Sequence, residues 1–310
     1  MAFQAAVMIP SHIIKPPRLR QGDTVGVVAP ASPFDMDAFE RGIKSIESMG
    51  FRAAVPEELF ERSGFLAGDD SHRAHLVQRF FADPNLRGII CARGGYGSVR
   101  ILSLLDFKKL QKDPKVFIGF SDISVLLNTL YARCGMVTFH GPVITALGKS
   151  GDRGRESLRA VISGDQPVVV AATDGIVLKP GRAAGVVAGG NLTALCHLVG
   201  TPFTPYFGKN ILFLEDVGEA PYRIDRMLIQ MKMAGCFHGL SGVVLGSFVD
   251  CGDVEEIHRI VSEIFEDTGV PILTGIPAGH GEENRSLPIG LEATLDTDAM
   301  ELRYHEPATS

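Results

Sequence analysis

Residues 115–135 read KVFIGFSDISVLLNTLYARCG. The run 116–120 is apolar throughout, and Ile123, Leu126, Leu127 and Leu130 then fall on one helical face that Gly135 ends. A strand without polar alternation is covered on both faces, and a helix directly behind it is the crossover of a parallel sheet. The pattern repeats upstream. Residues 24–29 form an apolar run closed by Pro30, Phe39, Ile43, Ile46 and Met49 follow at helical spacing, and residues 86–92 form another run. Residues 1–163 are therefore expected as an α/β domain on a parallel sheet.

From Gly148 the pattern dissolves into GKSGDRGRE (148–156), a short strand expected at 168–172, and LKPGRAAG (178–185). Residues 164–181 are expected to link two domains. Apolar runs resume at 211–214, 243–245 and 270–273, with Ile224, Leu228, Met231 and later Val254, Ile257, Val261, Ile264 at helical spacing between them. Residues 287–295 lack a helical pattern and read as β. Residues 182–310 are expected as a second α/β domain.

The 310 residues are 45% hydrophobic and 21% charged, which excludes disorder as the main state. A net charge of -6 argues against a duplex nucleic-acid partner, which requires a basic stripe. Five scattered cysteines (Cys91, Cys134, Cys196, Cys236, Cys251) without a CxxC pair suit reduced thiols in a cytosol. The start, MAFQAAVMIPSHIIKPP, lacks a basic n-region and is broken by Pro10, so no secretory signal is expected. No apolar run approaches the ~20 residues that cross a bilayer. A cytoplasmic protein without a membrane partner is the expectation.

Four segments carry candidate chemistry. Ser121 stands where a strand gives way to a helix, the edge at which α/β sheets bind ligands. It is either a nucleophile, with the Asp122 amide donating to an oxyanion, or Ser121 or Asp122 merely caps the helix. Ile123 stands in place of the second glycine of a G-x-S-x-G elbow. Gly94, Gly95 and Gly97 of CARGGYGSVR (91–100) read as an anion-holding loop or a plain turn, and they fail the G-x-G-x-x-G fingerprint.

In ILFLEDVGEAPYRIDR (211–226), Glu215 and Asp216 arrive at the end of an apolar run. They are either solvated there or, for Glu215, buried to orient a histidine. Pro221 suits a first helical turn, and Tyr222 and Arg226 share a helical face. His280, between glycines in IPAGHGEEN (276–284), is the best-placed general base among nine histidines. His140 in FHGPV (139–143) is its rival, and a hydrogen-bonded structural role is the other reading of both. His72 and His75 are expected to face solvent. No metal-binding spacing occurs, and neither a metal nor a cofactor is expected.

Taken together, the segments RQGDTVGVVAPAS, FLAGDD, ARGGYGSVR, IGFSDIS, TFHGPV, GGNLTAL, GTPF, ILFLEDVGEAPYRIDRML and GHGEENRSLPIG resemble, in this order, the LD-carboxypeptidase family. These are muramoyltetrapeptide carboxypeptidases, serine peptidases of the S66 type. The resemblance implies a flavodoxin-like or amidotransferase-like N-terminal domain and a smaller β-rich C-terminal domain. It implies a triad of Ser121, Glu215 and His280, with the amides of Asp122 and Gly95 as oxyanion hole. The implied substrate is the murein tetrapeptide, cut between an L-centre diamino acid and terminal D-alanine, and the implied assembly is a homodimer. A carboxypeptidase must hold a free carboxylate, for which Arg93, Arg223 or Arg226 is available. Gly94, Tyr96 and Tyr222 complete the expected substrate contacts. Ser124 is a departure, since members often carry threonine there. Two other readings remain open. One is a microcin C immunity-type peptidase, against which the absence of tryptophan counts. The other is a non-catalytic binding module, tested by whether Ser121 and His280 meet.

Overall fold

The structure, a computed structural model, describes residues 12–310; the reading of residues 1–11 as free of a signal lies outside the described residues. The first strands are β1 (Thr24–Val28), β2 (Arg52–Ala54), β3 (Gly88–Cys91), β4 (Val116–Gly119) and β5 (Thr138–His140). Then come β6 (Val169–Ala171), β7 (Val177–Lys179), β8 (Arg182–Asn191), β9 (Asn210–Val217), β10 (Gly242–Val249) and β11 (Ile272–Leu273). The last are β12 (Leu287–Ile289), β13 (Glu292–Asp296) and β14 (Glu301–Tyr304).

Two sheets result, in the orders β12-β5-β4-β3-β1-β2 and β6-β14-β13-β8-β9-β10-β11-β7. Strands β2, β1, β3, β4 and β5 are parallel, in the flavodoxin-like order 2-1-3-4-5 that the resemblance implies. The second sheet has a parallel centre, β8 to β11, with antiparallel strands on both flanks. β3 and β4 are buried along their whole length, as runs without polar alternation require. No described helix is long and apolar enough to cross a membrane.

Two differences from the sequence reading concern connections. Residues 164–181, expected as a linker with a short strand at 168–172, carry that strand as β6 and also β7, which was not expected; they pair with β14 and β11 at the two edges of the second sheet. The chain also returns: β12 pairs antiparallel with β5, Leu287 opposite His140, and so belongs to the first sheet. Hydropathy marks β6 and β12 as strands but holds no information about the distant strand each one joins.

The helix Ser124–Cys134 is buried on nearly every side and ends at Gly135 in the left-handed region. It is sewn to β8. Asn128 Nδ2 donates to Gly189 O at 2.8 Å, Gly189 N donates back to Asn128 Oδ1 at 2.9 Å, and Asn191 N donates to Ser124 Oγ at 3.0 Å. A Cβ on Gly190 (φ 140°) would lie 2.4 Å from Ser124 Oγ, so only glycine permits this approach.

Candidate active site

β4 aims Ser121 at the second sheet. Phe120 is fully extended, and Ser121 then takes φ 62°, a left-handed conformation that costs a residue with a Cβ roughly 1–3 kcal/mol. Neither the 3₁₀ turn Ser121–Ile123 nor the helix behind it has a side-chain cap, so the capping reading fails. The strain typical of a nucleophile elbow is present without the second glycine. Gly119 makes room instead, because a Cβ there would stand 2.5 Å from Ile123 Cγ2.

The second sheet brings the other two groups. His280 Nε2 lies 3.1 Å from Ser121 Oγ, and His280 Nδ1 lies 2.6 Å from Glu215 Oε2. Glu215 is wholly buried inside β9, opposite Asn191 of β8, so it is not solvated at a strand end. Nor is Asp216, which accepts from Asn191 Nδ2, Thr193 N, Thr193 Oγ1 and Val217 N at 2.8–2.9 Å. Burial raises the Asp216 pKa, and these bonds offset part of the rise.

Burial also opposes the Glu215 charge, but the imidazoles of His140 and His280 outweigh it and bring the carboxyl down to about 2. For His280, burial pulls the pKa down. The bond and charge of Glu215, helped by the charge of Asp216, more than reverse that and leave the pKa above the ordinary histidine value. Gly279 (φ 112°) lets the histidine loop lie on the carboxylate, since a Cβ there would be 2.6 Å from Glu215 Oε2. Gly279 N donates to Asn284 Oδ1 at 3.0 Å and Gly281 N to Ser247 Oγ at 2.9 Å, which fix the loop on both sides of His280.

The glycine loop after β3 closes over the serine. Gly94 packs against Ser121, where a Cβ would fall 2.8 Å from the serine Cβ, and Gly95 follows at φ 100°. Side chains from three other segments hold this loop. Ser32 Oγ accepts from Tyr96 N at 3.1 Å, Asp122 Oδ2 accepts from Ser98 N at 2.8 Å, and Arg73 donates to Gly97 O at 2.9 Å and to Pro30 O. Burial raises the Asp122 pKa, against the lowering effect of its bonds at Ser98.

Sequence reasoning missed Arg73, a wholly buried guanidinium paired with Asp70. Its register with Val77 and Phe80 on one face of helix Asp70–Ala82 was the available signal. On the same helix His75 is exposed as expected, whereas His72 is half-buried, 3.5 Å from Glu61.

The expected substrate contacts divide into two groups. Arg93, Gly94 and Tyr96 belong to the glycine loop, of which Gly94 packs on Ser121. Arg93 Nη1 donates to Pro33 O at 2.9 Å, and the half-exposed Tyr96 ring lies 5.8 Å from that of Phe65. Tyr222, Arg223 and Arg226 form a separate exposed cluster on helix Pro221–Met233, both guanidiniums within 6 Å of the Tyr222 ring. Among the described residues no hydrogen bond or ion pair joins that cluster to Ser121, Glu215 or His280.

A serine hydroxyl, an imidazole and a buried carboxylate in series form the arrangement of serine peptidases. The N-terminal domain of LD-carboxypeptidases matches residues 25–141 and their C-terminal domain residues 184–295. The chain belongs to the LD-carboxypeptidase family and is a serine carboxypeptidase. The murein tetrapeptide carboxypeptidase of Pseudomonas aeruginosa is 34% identical, over 89% of this chain and 94% of its own. The crystal structure of muramoyltetrapeptide carboxypeptidase from Oxalobacter formigenes superposes with a TM-score of 0.79 at 29% identity, over 91% of this chain and 97% of that one. An MccF-like protein from Bacillus anthracis shares the fold, with a TM-score of 0.89 at 24% identity over 94% and 99%.

Proposed function

We propose that this carboxypeptidase acts on peptidoglycan tetrapeptides, releasing terminal D-alanine from the L-centre of a diamino acid, in the cytoplasmic recycling of cell-wall peptides. The observation that carries the reading is His280, which bridges Ser121 Oγ and Glu215 Oε2 from one loop. That convergence counts against a non-catalytic binding module. The murein substrate of the Pseudomonas and Oxalobacter relatives supports the substrate class.

Ser121 Oγ attacks the carbonyl carbon of the diamino acid while His280 Nε2 takes its proton. Glu215 holds the imidazole by Nδ1 and balances the imidazolium charge. The Asp122 and Gly95 amides receive the oxyanion. His280 then protonates the leaving D-alanine nitrogen as the C–N bond breaks, leaving an acyl-serine that water hydrolyses by the same steps. Of the three arginines, Arg93 is assigned to the substrate carboxylate, because it adjoins the Gly94 that packs on Ser121.

The test is release of free D-alanine from diaminopimelate and lysine tetrapeptides by the purified protein, beside a folded Ser121→Ala variant. Release that vanishes in the variant is the expected result. No release from either peptide, with hydrolysis of an aminoacyl-nucleotide analogue instead, would move the assignment to the microcin-type reading.

A further inference from the structure

Glu215 and His140 present an unsolved problem of hydrogen bonding. Both side chains have no solvent exposure, and Glu215 Oε1 and both ring nitrogens of His140 lack a partner among the described residues. Buried polar atoms are paired in the great majority of proteins, and an unpaired oxygen on a buried carboxylate is costly. Two of these three orphans face each other, His140 Nε2 standing 3.9 Å from Glu215 Oε1. A shift of about 1 Å brings that pair into hydrogen-bond range.

The ring is held for this approach. Phe213 packs against it edge-on at 4.9 Å and Phe120 at 6.0 Å, while β4 and β12 pair with β5 at Gly119 and Leu287. Phe120 also packs at 4.9 Å on His280, so the same ring lies against both imidazoles.

We propose that His140 is a positioning residue of the triad: its Nε2–H donates to Glu215 Oε1, so that each carboxylate oxygen is held by one imidazole. The carboxylate then cannot rotate as the imidazolium forms, and Oε2 stays on Nδ1 of His280. The inference rests on the functional reading above and extends it to a residue from the first sheet, which thereby supplies both the nucleophile and the clamp on the acid.

The experiment compares His140→Gln, whose amide N–H reaches the Nε2 position, with His140→Asn, whose amide reaches only the Nδ1 position, and with His140→Leu. The expected result is a kcat lowered roughly 10–100-fold in the Asn and Leu variants with KM within about twofold, and restored by Gln. The downfield proton resonance of His280 Nδ1–H is expected to persist in wild type and Gln and to be lost in Asn and Leu. Should Leu fail to fold, the Gln and Asn pair decides. Equal loss in Gln and Asn, or wild-type kcat in both, overturns the proposal. If wild type itself releases no D-alanine the functional reading fails, and the resonance comparison still decides the role of His140.

Discussion

The first sheet places the proposed nucleophile by backbone strain, and the second places the proposed acid and base by close packing. Ser121 sits at φ 62° on a turn with no side-chain cap, held by what surrounds it. Glu215 lies in regular strand, and its partner His280 reaches it because Gly279 leaves no Cβ between them. The nucleophile's position therefore stores energy that folding must offset, whereas the acid–base pair depends on one missing methyl group. The two halves should fail differently when altered.

The largest effect tests the strained half. Ser121→Ala is expected to lower kcat by roughly 10⁴–10⁶-fold with the fold intact. Ser121→Gly should be equally inactive yet more stable than the alanine variant by about 1 kcal/mol, since glycine accepts positive φ. Equal melting temperatures would show that the turn is not strained.

Glu215→Gln comes next, with an expected loss of about 10⁴-fold. Its pH profile carries the sign. The base works as neutral imidazole, so activity falls as pH drops through the His280 pKa, which Glu215 holds above the ordinary value near 6.5. Removing the charge lowers that pKa, and the acid limb of kcat/KM should move to lower pH. A limb that stays in place would mean that another group sets it.

Gly279→Ala probes the packed half. The added methyl meets Glu215 Oε2 at a positive φ, so kcat should fall about 10²-fold through misplacement of the imidazole, at a cost of roughly 1–3 kcal/mol in stability. The smallest effect concerns recognition. Arg93→Ala is expected to raise KM about tenfold for a free-acid peptide, one charge-assisted bond being lost, and to leave a C-terminally amidated peptide unaffected. An unchanged ratio of the two peptides would remove Arg93 from the carboxylate.

Much of the parallel sheet was legible, because β1, β3 and β4 are short apolar runs and the helices behind β1 and β4 carry apolar residues at helical spacing. The proposed triad was readable only through the resemblance. By position alone the cap was the favoured reading of Ser121, and a solvated strand end that of Glu215. The φ of Ser121 was not legible, since the Gly94 and Gly119 packing that allows it comes from other segments. The approach of His140 to Glu215 was equally hidden, because it joins β5 to β9 across two sheets. Arg73 alone left a local trace, as a charge inside an apolar stripe.

The return of β12 to the first sheet has a consequence for synthesis. Strand β5 carries His140, is buried in the finished protein, and waits for a partner about 150 residues downstream. At roughly 5–20 residues per second, the ribosome leaves that apolar edge unpaired for on the order of ten seconds or more. An open edge of this kind is a template for other chains. The nascent protein thus passes through a sticky interval that ends only when β12 emerges, and chaperone demand should be greatest during it.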